Sequence, residues 1–182
     1  MSKAERTNSA GLPPSGLKDL VEQIADRVWN RGDLAAVDEH FRPDFVGHLP
    51  GVAELRGPAV YRRVAAERRR ALPDLRYRPL HCIGDGDRVM LRSEVLGTHL
   101  GRLGGIPPTG MRVRTTEMTI FRFEDGRVAE LWQQGDDLGV LDQLGLVPPA
   151  GLGALGRVGH AVGVTARLTA LTRRAARERK TT

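Results

Sequence analysis

From Leu17 the apolar residues Leu17, Leu20, Val21, Ile24 and Val28 recur three and four places apart, the spacing of one helical face, and Gly32 supplies a stop. The pattern predicts a first helix over about 17–30. Asp33 is placed to cap a second, short helix through LAAVDEHF that ends before Pro43, and Phe45 with Val46 begins an extended segment. Pro58 sits where a first helical turn tolerates it, and AVYRRVAAERRRAL continues as a third helix until Pro73. The period then changes. LRYRPLHCI, the turn Gly84-Asp85-Gly86-Asp87 and RVMLRSEVLG read as a hairpin, and MRVRTTEMTIFRF and RVAELWQQ flank Glu124-Asp125-Gly126 as a second one. Between the hairpins, residues 97 to 110 hold five glycines and two prolines, a composition only a loop tolerates. DDLGVLDQLG closes the body as a short helix. Helices first and antiparallel strands afterwards predict an α+β domain, one curved sheet with helices over one face.

Composition bounds this picture. The 182 residues are 40% hydrophobic and 27% charged, enough for one ordinary domain with tails, and no apolar run is long enough to span a membrane. A mobile leader is expected over 1–16, a domain over 17–148 and an extension over 149–182. The leader lacks the apolar segment of a secretory signal, and the single cysteine, Cys82, has no disulfide partner in the chain, so a reducing cytoplasmic setting is the expectation. The net charge of +6 suggests nucleic acid until it is divided along the chain. Residues 149–182 hold seven bases and one acid, whereas residues 17–148 hold 19 bases and 20 acids. The folded body is neutral, so no nucleic-acid contact is expected of it. The tail is Gly-rich through GLGALGRVGHAVG, which predicts a weak helix, and then becomes TARLTALTRRAARERK, a basic helix. It reads either as a solvated extension or as a contact for a membrane surface or a protein partner.

Phosphate loops, dinucleotide fingerprints, HExxH and GxSxG motifs are absent from the sequence. The glycines at 101, 104 and 105 lie between strands with no helix following, and the five histidines, at 40, 48, 81, 99 and 160, lack ligand spacing. His81 beside Cys82 has no third partner to make a thiolate nucleophile. What the chain does carry is NRGDLAAVDEHFRPDFVGH at 30–48, LPDL at 72–75, GTHLGRLGGIPPTG at 97–110, and FRFEDGRVAELW followed by DDLGVLDQLG. In these segments the stretch from about Asn30 to Gly145 resembles the SnoaL-like polyketide cyclases of the nuclear transport factor 2-like superfamily.

The resemblance implies a cone-shaped barrel in which a curved, mainly antiparallel sheet is covered by three N-terminal helices, here with a C-terminal helical tail added, and which is usually a homodimer. It implies an apolar pocket that works on a small hydrophobic polyketide-type substrate without metal or organic cofactor, closing a ring by an intramolecular aldol step. The family's acid/base aspartate falls at Gln133, whose amide orients an oxygen but does not exchange a proton near neutral pH. A second polar position falls at Thr119. His99 matches a family histidine and titrates near neutrality, so it is the candidate proton relay; otherwise it ties the loop to a backbone carbonyl. Period-two alternation puts Thr115, Glu117, Thr119 and Phe121 on the inward strand face, so Glu117 is either a buried base and partner of His99 or the partner of an arginine. Asp136 and Asp137 open the last helix, one of them as its cap, with substrate contact as the other reading of Asp136. His48 is a substrate contact or a surface hydrogen bond. Trp29, Phe45, Tyr61 and Trp132 are core or ligand-stacking residues. The run Arg68-Arg69-Arg70 reads as a solvated helix face. The leading expectation is a cyclase that closes or rearranges a ring, the missing aspartate favouring closure on an epoxide or unsaturated bond over the aldol step, with His99, Glu117 and Gln133 in catalysis, His48, Thr119, Phe45, Trp29, Tyr61 and Asp136 around the substrate, and the 97–110 loop shielding the site. An epoxide hydrolase-like or ketosteroid isomerase-like enzyme driven by Glu117, or a non-catalytic binding module, is the alternative.

Overall fold

A computed structural model describes residues 14–51 and 53–178. Helix α1 (Pro14–Ala25) buries Leu17, Val21 and Ile24, and then widens into a π-helical turn, Asp26–Arg31, ending at Gly32 with φ +72°. The wider turn brings both Val28 and Trp29 inside, at 1% and 6% exposure. Arg69 donates to the Trp29 carbonyl at the end of that turn, and its guanidinium lies so close to Gly32 that a Cβ there would collide with it. Of the leader expected over 1–16, residues 1–13 lie outside the described residues and 14–16 already belong to α1.

Helix α2 (Ala35–His40) leads directly into β1 (Phe41–His48), with Pro43 accommodated where the pairing of β1 to its neighbour shifts register between Phe41 and Val46. A two-residue strand, β2 (Leu55–Arg56), precedes α3 (Pro58–Ala71), and four long strands follow: β3 (Arg76–Asp85), β4 (Arg88–Thr98), β5 (Arg112–Glu124) and β6 (Arg127–Gly135). The sheet order is β2-β1-β6-β5-β4-β3, antiparallel throughout except between β1 and β6. The β5–β6 hairpin turns through Asp125 and Gly126, both at positive φ (51° and 74°), the two-residue geometry whose twist suits a hairpin. Helices cover the inner face, and Phe41, Phe45, Leu91 and Leu131 are fully buried between the layers. Each such side chain contributes about 2 kcal/mol.

After the short helix α4 (Asp137–Gln143) the tail forms one continuous helix, α5 (Ala154–Glu178), across Gly156, Gly159 and Gly163. Its first half is therefore as helical as its second, against the propensity expectation, which is a weak prior for any single segment. Arg167 fastens α5 to the body, donating to the Leu144 carbonyl at 2.9 Å beside Gly145. Among the described residues no helix is long and apolar enough to cross a membrane.

Candidate active site

The inner face of the sheet carries a polar row in an otherwise apolar layer. Glu117 on β5 pairs in register with Ser93 on β4, and Thr119 pairs with Leu91 on one side and Gln133 on the other. Alternation along these strands points all four polar side chains inward, and their residues are between 0% and 9% exposed. Helix α3 roofs the row. Tyr61, Ala65, Arg68 and Leu72 follow one another at spacings of four, three and four, one helical stripe, so Arg68 is aimed at the sheet with the apolar residues. Its Nη2 donates to Glu117 Oε2 at 2.7 Å, and Gln133 Nε2 donates to the same oxygen at 2.9 Å. The guanidinium lies over the Trp29 indole, 5.2 Å from its centre. Trp29 stacks on Tyr77 at 5.9 Å and 17°, and meets Tyr61 edge-on at 6.4 Å. Asn30 fixes that stack by exchanging hydrogen bonds with the Tyr77 backbone, donating at 3.1 Å and accepting at 2.8 Å.

Electrostatics follow from this packing. Burial works against the Arg68 charge, and the Glu117 carboxylate outweighs it, holding the guanidinium protonated above its usual range. Burial raises both the Tyr61 and the Tyr77 phenols, and the Glu117 charge raises them further, so both stay protonated. The sequence left Glu117 as a base or an arginine partner, and the structure gives it an arginine. Both hydrogen bonds, however, fall on Oε2. Among the described residues no donor reaches Oε1, so one oxygen of a paired carboxylate is left for a proton.

The other sequence candidates are distributed elsewhere. His99 is fully buried on the same sheet face, with Nδ1 3.0 Å from the Thr109 hydroxyl and Nε2 without a partner among the described residues. Burial lowers its pKa, so the imidazole is neutral. It lies six residues along the β4 line from Ser93, the register partner of Glu117, which is roughly 20 Å at the rise of a strand. His99 and Glu117 therefore do not form a pair. The His99 ring is tied to the Thr109 hydroxyl, while backbone carbonyls hold the loop: Thr109 N and Gly110 N donate to the His99 carbonyl at 3.2 and 2.9 Å, and Leu100 N and Gly101 N both donate to the Ala71 carbonyl at 3.0 Å, closing the end of α3. Gly101 is required there, because a Cβ would run into the Arg70 carbonyl.

His48 faces outward, with Nε2 2.9 Å from Glu130 Oε1 and its ring stacked on Trp132 at 5.5 Å, the surface hydrogen bond that was one of its two readings. Trp132 is likewise outside the core, under Arg88. Burial works against the Glu130 charge, but hydrogen bonds from His48 and Arg122 outweigh it and hold the carboxyl below its usual range. Asp136 caps α4, accepting from Gly139 N at 2.8 Å. Phe45 is core, packed on Phe41 and Tyr61. Thr119, Trp29 and Tyr61 line the Glu117 site. The expected solvated run is corrected at two of its three arginines, since Arg68 reaches Glu117 and Arg69 reaches Trp29. Arg68 is the site residue that charge alone conceals, although its spacing from Tyr61 and Ala65 reveals it. Burial pushes the Cys82 thiol up to about 11, which leaves it unreactive. A groove of about 430 Å³ opens away from Glu117, between Asp74, Arg76, Leu96, Arg112, Arg114 and Gln143.

Comparison with known proteins is consistent with this geometry. A family profile described as SnoaL-like polyketide cyclase matches residues 19–144. An aklanonic acid methyl ester cyclase from Streptomyces sp. strain C5 is 30% identical over 135 residues, covering 70% of this chain and 80% of that protein. A nogalonic acid methyl ester cyclase from Streptomyces nogalater is 28% identical over 122 residues, covering 65% and 90%. The structure of AclR from Streptomyces galilaeus, described as a proposed hydroxylase, superposes with a TM-score of 0.67 at 32% identity over 74% of this chain and 99% of that one.

Proposed function

Because the chain belongs to the SnoaL-like polyketide cyclase family, we propose that it closes a carbocycle within a hydrophobic polyketide ester, with Glu117 as the acid/base group. The observation that carries this reading is the convergence of Gln133 and Arg68 on one oxygen of Glu117, with no donor on the other oxygen among the described residues. The position where the resemblance expects a carboxylate is an amide, and a carboxylate is offered to it from the adjacent strand, 2.9 Å away. Glu117 removes a proton alpha to a carbonyl, Gln133 and Thr119 orient the substrate, and the aromatic side chains Trp29, Tyr61 and Tyr77 supply flat walls. Positioned proton transfer of this kind is worth about 10²- to 10⁴-fold, and holding two ends of one molecule in reacting distance removes several more kcal/mol from the barrier. A ketosteroid isomerase-like reaction would use the same proton abstraction, and the substrate distinguishes the two. The catalytic unit in this reading is residues 17–148, acting as a homodimer in a reducing compartment.

The test is turnover of the two methyl esters named for the relatives, aklanonic and nogalonic acid methyl ester, by the wild type, Glu117→Gln and His99→Gln. Glu117→Gln lowers kcat at least about 100-fold with KM little changed. His99→Gln stays within about threefold of the wild type once its folding is checked. The reverse order of effects would return the proton relay to His99 and overturn the assignment.

A further inference from the structure

We propose that Arg68 is a catalytic residue: its guanidinium receives the substrate's carbonyl oxygen and carries the negative charge that forms there when the neighbouring C–H is deprotonated. This rests on the ring-closing reading and adds the group that meets the oxygen.

The geometry is unlike that of an arginine kept only to neutralise a buried acid. A guanidinium offers five N–H donors in a flat fork. Among the described residues Arg68 spends one of them, from Nη2 to Glu117. The guanidinium carbon sits over the Trp29 ring, 5.2 Å from its centre, and among the described residues its remaining donors have no protein acceptor. The two halves of the pair are also unequally covered, with 20% of the Arg68 side chain accessible against 3% of Glu117. A molecule approaching the site meets the guanidinium before it meets the carboxylate. None of the remaining donors is both buried and unpartnered among the described residues, so they lie at the accessible edge of the pair, where a ligand oxygen can take the place of water. A ligand oxygen supplies the missing acceptor. Placing a fixed cation where charge develops, in surroundings that exclude water, is among the largest sources of rate enhancement.

The step is balanced within substrate and protein. Glu117 Oε1 takes the proton from the carbon beside the carbonyl, the C–H electron pair becomes the enolate double bond, and the carbonyl π pair moves to the oxygen facing Arg68. The enolate carbon then attacks the second carbonyl carbon. One C–C bond forms, the π pair of that carbonyl passes to its own oxygen, and this oxygen takes the proton back from Glu117. The product is an isomer of the substrate.

The experiment uses the full chain and 2-hydroxyanthraquinone, a flat phenol whose ionised form has its own visible absorption. Bound to the wild type, the probe is expected to be at least about tenfold more acidic than in free solution. Glu117→Gln removes the competing negative charge, leaves Arg68 in place and increases that acidity further. Arg68→Met returns the probe to its free ionisation or beyond, Arg68→Lys keeps part of the effect, and kcat falls about 100- to 1000-fold in Arg68→Met with KM changed only a few-fold. Ordinary ionisation of the probe on the wild type, or an undiminished effect in Arg68→Met, overturns the proposal. Should Arg68→Met not fold, Glu117→Gln decides alone, and a lost acidity there overturns it equally. A wild type that binds no probe at all removes the ring-closing pocket together with this proposal, whereas binding with ordinary ionisation removes this proposal only.

Discussion

At Glu117 a carboxylate is held in a wall of aromatic and aliphatic side chains by one cation and one amide, both on Oε2. Replacing the amide with the acid that the family pattern expects would place two carboxylates at one buried point. Like charges at that distance share a proton, so Gln133→Asp is expected to lower stability by about 2 kcal/mol at pH 7.5. The folded variant holds the shared proton more tightly than the unfolded chain, so the deficit should shrink as pH falls toward 5; thermal melts of variant and wild type at the two pH values measure it. A deficit independent of pH would mean that Asp at 133 turns away from Glu117. At this scale the inwardness of Glu117, Thr119 and Gln133 was legible, because strand alternation assigns faces without knowledge of the fold. Arg68 was hidden behind its neighbours Arg69 and Arg70. Three consecutive charges read as a wet surface, while the four-three-four spacing from Tyr61 to Leu72 gives the better prediction.

Elements position these residues through their ends more than through their middles. The π-helical turn at Asp26–Arg31 brings Trp29 under Arg68, and no composition signals it; the Arg69 bond to the Trp29 carbonyl accompanies the wider turn. The connector after β4 was legible as a loop from its glycines and prolines, but not as the lock on the end of α3 that Leu100 and Gly101 make of it. Buried in that lock, His99 has its pKa lowered by desolvation. The unfolded chain, where a histidine titrates near about 6.5, takes up the proton more readily than the folded one. Stability contributed by the neutral ring is therefore complete above that pH and is lost as pH falls through it toward the folded value. His40 is shifted in the same direction, by burial and then by Arg27, so it adds to the slope. The wild type should thus lose stability between pH 7.5 and 5.5, and His99→Gln, although less stable by about 1–3 kcal/mol at pH 7.5, should lose less of it over that range. Denaturant midpoints at the two pH values test this, and equal slopes would remove His99 from the acid response.

Over the whole molecule the two sides of the sheet are treated differently. Helices close the inner face, while the outer face leaves Ile83 59%, Met118 52%, Ile120 40% and Leu80 39% exposed. Along the same face Glu94, only 4% exposed, is gripped by Arg78 and Arg114 at 3.1 Å and 2.6 Å. The neutral body and basic tail were legible by counting charges, and the apolar outer strip follows from strand alternation. The unbroken course of α5 was not legible, because glycine propensity argued against it. An open sheet face of this kind favours a second sheet, and a homodimer built on it would be held by apolar contact. One assembled through the basic tail would be held by charge and weakened by salt. Light scattering of the 19.9 kDa chain should therefore give twice that mass at both low and high salt. Met118→Glu with Ile120→Glu should halve it, since burying two carboxylates opposite their copies costs more than the apolar strip contributes. Dissociation by salt alone, with the double variant still dimeric, would shift the interface from the sheet to α5.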